Sequence, residues 1–468
     1  MLLSSTKKNI IMKKKYYING TSSYNWLGPT VGIIRTEEEI IKALRKELGV
    51  NLDICIWENN RFKAIKYEKY LRKRRKYQLK IIKNIILRSK LISKIKSFFY
   101  KAFSFLILKI FFANSDRIRY LKNTFYYPVK KITKIYNKIF FLHVLIVNQK
   151  ALKSLLFSSY NQGLKNDIKN NIFFKGDIFL SCGLEWSESY PASFHFLKNS
   201  GVNVVTICYD LIPIKFPSYC FVNFSNEFSE YLINILHGSN YIFCISDNTK
   251  VDLKNFITNS GAPSPKLKKL KLGTSLYENY KPTKKSKDSK SQSKFILYVS
   301  TIETRKNHKL IIDVYLLAKK KNIDLPNIIF IGMKGWGTKS LISQIKKDNY
   351  LSSKISILNN IDDNNLVEYY KTSLFCIYPS LYEGWGLPII EAASFGKVTL
   401  CSNIKVLRES GDKYMKYVKP NCIESWLNAM YLFSCNNLLL EKTQNKIIKN
   451  FPIQKWEDTA KQLIREIR

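Results

Sequence analysis

Acidic residues are scarce in this sequence: 35 Asp and Glu stand against 77 Lys and Arg, which gives a formal charge of +42 at pH 7. A charge of this size implies an anionic partner, and a membrane surface, a nucleic acid and a phosphorylated substrate all qualify. The imbalance is greatest between Lys66 and Lys150, where Glu68 and Asp116 are the only acids.

Cysteine and histidine are also sparse. The nine cysteines lie far apart without a Cys-x-x-Cys pair, so neither a zinc site nor a disulfide framework is indicated. No cluster of acids or histidines indicates another metal site. Residues 1–15 lack the apolar core and the cleavage site of a signal peptide. These absences favour a reduced cytoplasmic protein that has no metal or other cofactor.

A chain of 468 residues, 46% of them hydrophobic, is long enough for two full-size domains. Residues 281–294 contain Lys, Ser and Asp but no large apolar side chain, which is typical of a linker. We therefore predict an N-terminal α/β domain at residues 16–275, a linker at 276–293 and a C-terminal α/β domain at 294–440. A tail helix is predicted within 441–468.

The stretch Glu383–Lys397 is the most informative part of the sequence. The apolar run Leu374–Tyr378 predicts a buried strand before it, and Gly384 and Gly386 allow a tight turn and the close approach of a ligand. Pro388 suits the first turn of a helix, where no amide hydrogen is needed. Because such a helix start carries free amide hydrogens and partial positive charge, it predicts a phosphate site.

Two carboxylates flank this predicted phosphate site. Glu383 lies in the loop and Glu391 lies near the end of the first helical turn, so both face one small volume. A carboxylate suits paired sugar hydroxyls, because each hydroxyl can donate a hydrogen bond to it. The alternative, which residue type alone favours, is that Glu391 only complements the helix dipole.

The pattern Glu383-x7-Glu391, within Tyr-Glu-Gly-Trp-Gly-Leu-Pro, resembles the signature of retaining GT-B glycosyltransferases of family 4, in the form found in bacterial O-antigen and capsule synthesis. The resemblance implies two doubly wound Rossmann-like domains that face each other across a cleft, and a last helix that returns to the N-terminal domain. It also implies that Glu391 binds the ribose of a sugar nucleotide. The donor sugar would be held by Glu383, Gly384, Trp385, Gly386 and Leu387.

Two more loops are similar to the same family. Val31–Glu37 is similar to its N-terminal loop, which implies that Gly32 lies near the donor phosphates; a plain turn glycine is the alternative. Arg35 either meets phosphate or pairs with a nearby Glu. In the other loop, Lys306 matches the phosphate-binding lysine of the family, and Arg305 would replace a missing arginine. A solvated loop is the alternative there, but phosphate requires cations and a helix follows.

Asp210 follows the predicted strand Asn203–Cys208, at the strand end where open α/β sheets bind ligands. The segment Tyr209–Pro213 resembles a family loop that often has His before Asp, and Tyr209 weakens any role for a histidine. Asp210 and Glu383 are the candidate catalytic carboxylates. The alternative for Asp210 is that it only begins a turn.

Between residues 66 and 150 the α/β pattern is interrupted. Leu71–Lys76 is a basic run, and from Leu79 to Tyr100 Ile and Phe fall roughly on one helical face. This basic amphipathic helical insertion suits an anionic membrane surface, whereas the apolar run at 98–112 is too short and too charged to span a bilayer. The alternative is a helical hairpin that packs on its own domain.

The resemblance implies retaining transfer of a hexose-type sugar from a nucleoside-diphosphate sugar to a lipid-linked saccharide acceptor. We expect this reaction on the cytoplasmic face of the cell membrane, without metal or nucleic acid. Two alternative functions come from other classes of protein. A basic nucleic-acid-binding protein would need a recognisable binding module, which the sequence lacks. A catalytically silent membrane scaffold is disfavoured because Glu383, Glu391 and Lys306 are all present.

Overall fold

The computed structural model describes residues 14–26, 32–74, 172–221, 223–274, 276, 295–335 and 337–467. Most of the predicted linker and most of the predicted insertion lie outside these residues. The described residues form two α/β domains that follow one another along the chain.

Seven strands of the described residues form the sheet of the first domain: β1 (Tyr16–Asn19), β2 (Leu52–Glu58), β3 (Arg61–Ile65), β4 (Ile178–Ser181), β5 (Asn203–Cys208), β6 (Tyr241–Cys244) and β7 (Lys266–Lys269). Their order is β3-β2-β1-β4-β5-β6-β7. All neighbours pair in parallel except β2 and β3. Alternate residues of β1 and β4 enter two separate apolar cores, so both faces of the sheet are covered, as a parallel sheet requires.

The helices of this domain lie between the strands: α1 (Thr21–Asn25), α2 (Gly32–Leu48), α3 (Phe194–Asn199), α4 (Ile212–Lys215), α5 (Phe224–Gly238) and α6 (Asp247–Ser260). Helix α6 begins after Ser246, whose side chain accepts a hydrogen bond from the amide of Thr249, as is typical of a residue that caps a helix start. The same helix ends at Gly261, whose φ of 65° is left-handed.

The second domain has six strands within the described residues: β8 (Phe295–Val299), β9 (Asn327–Ile331), β10 (Ile355–Leu358), β11 (Cys376–Tyr378), β12 (Thr399–Ser402) and β13 (Lys416–Val418). They are all parallel, in the order β10-β9-β8-β11-β12-β13. The helices are α7 (His308–Lys320), α8 (Lys339–Lys347), α9 (Asn349–Lys354), α10 (Asp363–Thr372), α11 (Leu387–Ser394), α12 (Lys405–Gly411), α13 (Ile423–Cys435) and α14 (Asn437–Asn450).

Both sheets are doubly wound: the strand order reverses between β1 and β4 in the first domain and between β8 and β11 in the second. Ligands of open α/β sheets bind outside the carboxyl ends of the strands at such a reversal. Residues from both domains line one cleft there. The predicted GT-B architecture, two doubly wound domains facing across a cleft, is confirmed.

The last helix, α15 (Trp456–Ile467), packs on α2 of the first domain. Lys46 pairs with Glu457 at 3.0 Å, and Lys268 pairs with Glu466 at 2.9 Å. The chain passes so close to Gly273 that a Cβ atom there would lie 2.5 Å from the amide nitrogen of Trp456. The tail therefore ties the end of the chain to the first domain.

The start of the basic run lies against the first domain. Residues 67–74 are helical, and Arg74 is buried with its Nε atom 2.6 Å from Oε1 of Glu38. Lys73 lies over the ring of Tyr24 at 3.4 Å. The predicted insertion beyond Arg74 lies outside the described residues. None of the helices in the described ranges combines the length and the apolarity that crossing a bilayer requires.

Side chains of the second domain also reach the first. Glu409 of α12 accepts hydrogen bonds from the amide of Asp247 at 2.8 and 3.0 Å and pairs with Lys269 at 2.5 Å. The Tyr382 hydroxyl donates to Asp252 of α6. These contacts hold the two sides of the cleft together.

Candidate functional site

A cleft of about 450 Å³ lies between the domains. The residues predicted from the sequence come together along its walls: Gly32, Arg35, Asp210, Arg305, Lys306, Glu383, Gly384, Trp385, Gly386, Leu387 and Glu391. Their roles stay predictions, but their convergence from four separate loops and helices is a finding.

Glu383 is the centre of a buried charge cluster in this cleft. Its Oε1 atom lies 2.5 Å from Nζ of Lys306, and its Oε2 atom lies 2.7 Å from Nη1 of Arg305. Arg305 also pairs with Glu303 at 2.7 Å, and Lys306 donates to the hydroxyl of Tyr378 at 2.7 Å. Each polar group thus has a charged or hydrogen-bonding partner, which burial of charges requires.

The pKa values in this cluster follow from burial and from these partners. Burial opposes ionisation of Glu383, yet Arg305 and Lys306 lower its pKa to about 2. Burial and the nearby Arg305 lower the pKa of Lys306, while Glu383 opposes that shift. Burial likewise disfavours the charged guanidinium of Arg305, but Glu383 and Glu303 raise its pKa. Glu383 is therefore a fixed negative charge with two cations beside it.

The predicted helix start after β11 is present as α11, with Pro388 in its first turn. Gly386 has a φ of 97°, a left-handed conformation that favours glycine. The first amides of α11 and the cations at Glu383 line the same cleft. This arrangement can bind an anion between a helix start and fixed positive charges.

The structure gives a reason for glycine at position 384 that the sequence did not predict. The sequence indicated that this glycine admits a ligand, but a Cβ atom there would lie 2.3 Å from the carbonyl oxygen of Tyr209 and 3.2 Å from Cβ of Asp210. Glycine at this position therefore lets the two domains approach each other. Trp385 and Leu387 also pack against the apolar core of the first domain.

Glu391 is buried on α11 and faces both domains. The hydroxyl of Tyr370 donates to its Oε2 atom at 2.9 Å, and Nη1 of Arg35 lies 3.7 Å from its Oε1 atom. Arg35 also pairs with Asp363 at 2.5 Å. Of the two roles predicted for Arg35, phosphate binding and pairing with a carboxylate, the structure shows pairing with carboxylates. Burial raises the pKa of Glu391, and Arg35 and Tyr370 oppose the shift.

Asp210 follows β5, as predicted. Its Oδ1 atom accepts a hydrogen bond from the amide of Ile212 at 3.0 Å, so it does begin a turn, and it also lines the cleft. Burial raises its pKa, while Arg305 opposes the shift. A carboxylate with a raised pKa takes up a proton more readily, which suits acid–base chemistry.

Gly32 begins α2 with a φ of 54°, and among the described residues no atom lies within 4 Å of the place a Cβ would occupy. It lines the cleft. The left-handed φ explains the glycine without a ligand, and its role near phosphate stays a prediction.

Three polar residues of the site were not predicted from the sequence. They are Glu303, which pairs with Arg305, Tyr370, which bonds Glu391, and Tyr378, which bonds Lys306. Tyr378 closes a predicted buried strand, and a polar tip at such a strand end is a usable signal. Nothing in the local pattern distinguishes Tyr370 from Tyr369 beside it.

Metal ligands were not expected. Within the described ranges, no group of three or more His, Cys, Asp or Glu could hold an ion. Independence from metal stays a prediction.

The sequence profile of the family described as "Glycosyl transferases group 1" matches residues 280–452. The match contains Glu383, Glu391, Arg305 and Lys306, the charged residues that the second domain brings into the cleft.

Several characterised proteins are similar to this chain. A serotype-specific mannosyltransferase WbdA from Escherichia coli is 25% identical over 312 residues, which are 60% of this chain and 38% of WbdA. An O-antigen chain mannosyltransferase B from E. coli is 32% identical over 28% of this chain and 34% of its own length.

A further relative comes from Campylobacter jejuni. It is the N-acetylgalactosamine-N,N'-diacetylbacillosaminyl-diphospho-undecaprenol 4-alpha-N-acetylgalactosaminyltransferase, which is 28% identical over 39% of this chain and 47% of its own length. The matches thus span less than half the length of each of these relatives. Residues 280–452 of this chain are therefore similar to the group 1 glycosyl transferases.

Proposed function

We propose that this protein is a retaining glycosyltransferase, which moves a hexose-type sugar from a nucleoside-diphosphate sugar to a saccharide acceptor in surface polysaccharide synthesis. One observation carries the proposal: Glu383, with Lys306 and Arg305 on its two oxygens, lies in the same interdomain cleft as the start of α11. The names of the relatives, which include O-antigen mannosyltransferases, agree with it.

The donor would occupy the cleft in three parts. Its diphosphate would lie at the start of α11 beside Lys306 and Arg305, where amides and cations meet. Its sugar would lie against Glu383. Its ribose would bind Glu391, whose Oε1 atom faces Arg35, so Arg35 would give way or share that oxygen.

Transfer would break the bond between the anomeric carbon and the diphosphate oxygen, with the electron pair leaving on the diphosphate. Lys306, Arg305 and the α11 amides would stabilise that growing negative charge. Glu383, ionised because of its lowered pKa, would stabilise positive charge on the sugar. The acceptor oxygen would form the new bond on the face that the diphosphate leaves, and Asp210 would take its proton. These groups need no metal or cofactor beyond the donor.

The acceptor is proposed to be lipid-linked and the enzyme peripheral on the cytoplasmic face of the membrane. The name of the C. jejuni relative includes a diphospho-undecaprenol acceptor. The charge of +42 suits an anionic membrane.

A thermal-shift screen against nucleoside diphosphates and their sugars tests the donor site, because a ligand that binds only the folded state raises its stability. We expect one base to give the largest shift, and Glu391→Gln to reduce it. Glu441→Gln, an exposed change on α14, should not. Nuclear magnetic resonance of the product should then show the donor's anomeric configuration. An inverted product, or no shift with any nucleotide, would refute the corresponding part of the proposal.

A further inference from the structure

A second, smaller cavity of about 210 Å³ adjoins the cleft on the side of the first domain. It shares Asp210, Glu303 and Arg305 with the cleft. Asp210 therefore lies where the smaller cavity meets the cleft that contains the proposed donor site.

The walls of the smaller cavity are aromatic. Trp186, Phe228 and Tyr231 are mutual neighbours, with centroid distances of 5.8 Å for Trp186–Phe228 and 5.7 Å for Phe228–Tyr231. Phe224 lies 6.0 Å from Trp186, and Tyr219 also lines the cavity. Phe224, Phe228 and Tyr231 are buried, whereas Trp186 and Tyr219 are half-buried. The cavity thus has a largely apolar interior and two aromatic side chains that are partly exposed.

The charged groups of the cavity are at its edge with the cleft, where Asp210, Glu303 and Arg305 lie. A wholly apolar ligand would leave these charges in contact with hydrocarbon, which costs free energy. A ligand with hydroxyls on every side would bury some of its hydroxyls against aromatic rings, which also costs free energy. A sugar that carries a methyl group satisfies both regions, because its methyl can enter the aromatic interior while a hydroxyl stays at Asp210. The volume is below the roughly 300 Å³ at which pockets begin to hold drug-sized ligands, so one substituted sugar fits better than a chain.

We propose that this aromatic cavity binds the terminal sugar of the acceptor, and that it selects a sugar bearing a methyl group, either a 6-deoxy or an N-acetyl methyl. The inference rests on the proposed function, since it takes the sugar beside Asp210 as the acceptor. The bound sugar then presents a hydroxyl to Asp210 at the edge where the cavity meets the cleft. Trp186 and Tyr219 act as specificity-determining residues.

Saturation-transfer magnetic resonance with the full-length protein tests this directly. The probes are methyl glycosides of a 6-deoxyhexose, of an N-acetylhexosamine and of an unsubstituted hexose. We expect saturation of the methyl protons of one or both substituted sugars, and the pattern identifies which methyl is recognised. Trp186→Ala and Tyr219→Ala should each weaken this binding roughly tenfold, as loss of an aromatic contact predicts.

The matched control is Phe174→Ala, because Phe174 is an exposed aromatic residue, 64% accessible, outside the cavity. It should bind the glycosides like the wild type. Equal binding of the unsubstituted hexose, or unchanged binding in both cavity variants, would overturn the inference. Thermal shifts with nucleoside diphosphates report the donor site separately, so a failed donor proposal and a failed acceptor cavity give different results.

Discussion

The hydroxyl of Tyr370 donates a 2.9 Å hydrogen bond to Oε2 of Glu391. This bond joins α10 to α11 beneath the cleft and leaves the other carboxylate oxygen facing Arg35 of the first domain at 3.7 Å. The side chain proposed to bind ribose is thus fixed from one side by a neutral donor and from the other by a cation. Both partners favour the charged carboxylate against the effect of burial.

Loss of this carboxylate should weaken donor binding. In Glu391→Ala the ribose hydroxyls would lose their acceptor, at a cost of about 1–3 kcal/mol, which is roughly fivefold to 150-fold in affinity. Calorimetric titration with the nucleoside diphosphate chosen by the screen measures this. Glu441→Ala on α14 is the control, and donor affinity equal to wild type in Glu391→Ala would remove Glu391 from the site.

Tyr370→Phe should change the pH dependence of donor binding. Because Tyr370 favours the ionised form of Glu391, its removal raises the pKa of that carboxylate further above its ordinary value. Donor affinity should therefore decline at a higher pH than in the wild type as the solution is acidified, with little difference at alkaline pH. Affinity profiles between pH 5 and pH 8.5 distinguish this from a structural defect, which would lower affinity at every pH.

Gly384→Ala should prevent the domains from meeting. The new Cβ atom would lie 2.3 Å from a backbone oxygen at Tyr209, which cannot move aside as a flexible side chain can. We expect a large loss of kcat/KM and a larger radius of gyration in small-angle X-ray scattering. Gly261→Ala is the control, because Gly261 ends a helix with a left-handed φ of 65° and no atom of the described residues lies within 4 Å of a Cβ added there. This change should reduce stability but keep the scattering profile. An unchanged profile for Gly384→Ala would refute this role.

The sequence predicted the architecture and the cleft residues well, for a local reason. Short apolar runs in the sequence indicate buried strands. Polar residues such as Ser246 and Asp362, which cap helices, indicate where helices begin. The loop at Glu383 and the helix after it are contiguous in sequence, so their geometry follows from a single stretch.

The sequence did not predict contacts between distant segments. Glycine is required at position 384 because the backbone oxygen of Tyr209, 175 positions earlier, leaves no room for a side chain. Tyr370 likewise bonds Glu391 from another helix. Glu37, Glu38 and Glu39 are three consecutive acids near the start of α2, a pattern that complements a helix dipole, yet Glu37 is fully buried and bonded to Ser23. Charge pattern along one helix cannot reveal which face the rest of the fold covers.

Burial of Glu37 should make stability depend on pH. Burial raises its pKa to about 8, and Ser23 only partly offsets this; burial raises the pKa of nearby Glu185 to about 7. Glu38 is a charged neighbour of Glu37. Four more titratable groups face Glu37, and burial raises the pKa of each of these four: Tyr70, Cys182, Tyr190 and Tyr209.

The sign follows from proton binding. Between the ordinary glutamate value of 4.5 and about 8, the folded state keeps a proton that the unfolded state releases. The stabilisation is therefore complete at low pH and declines as pH rises through this window. Glu37→Gln stays neutral and should show a smaller decline between pH 5 and pH 8 in urea unfolding, whereas Glu441→Gln should follow the wild type. An identical decline in Glu37→Gln would place the titration elsewhere.

The remaining prediction concerns the basic insertion, whose described beginning packs on the first domain through Arg74. The sequence beyond it still predicts attraction to an anionic membrane, at about 1 kcal/mol for each cation near the surface. The protein should sediment with vesicles of anionic lipid, bind neutral vesicles more weakly, and be released only partly by high salt, because the apolar face adds burial that salt does not screen. Replacing Lys80, Lys83 and Arg88 by Gln should weaken this binding.

A control with the same change in charge separates membrane contact from net charge. Lys320, Lys346 and Lys347 are exposed on α7 and α8 of the second domain, and their replacement by Gln should leave vesicle binding near the wild-type value. Equal weakening in both variants would mean that total charge alone draws the protein to lipid. If the intact protein ignored anionic vesicles, the insertion would contact a protein or its own domain instead, because its apolar residues would still require burial.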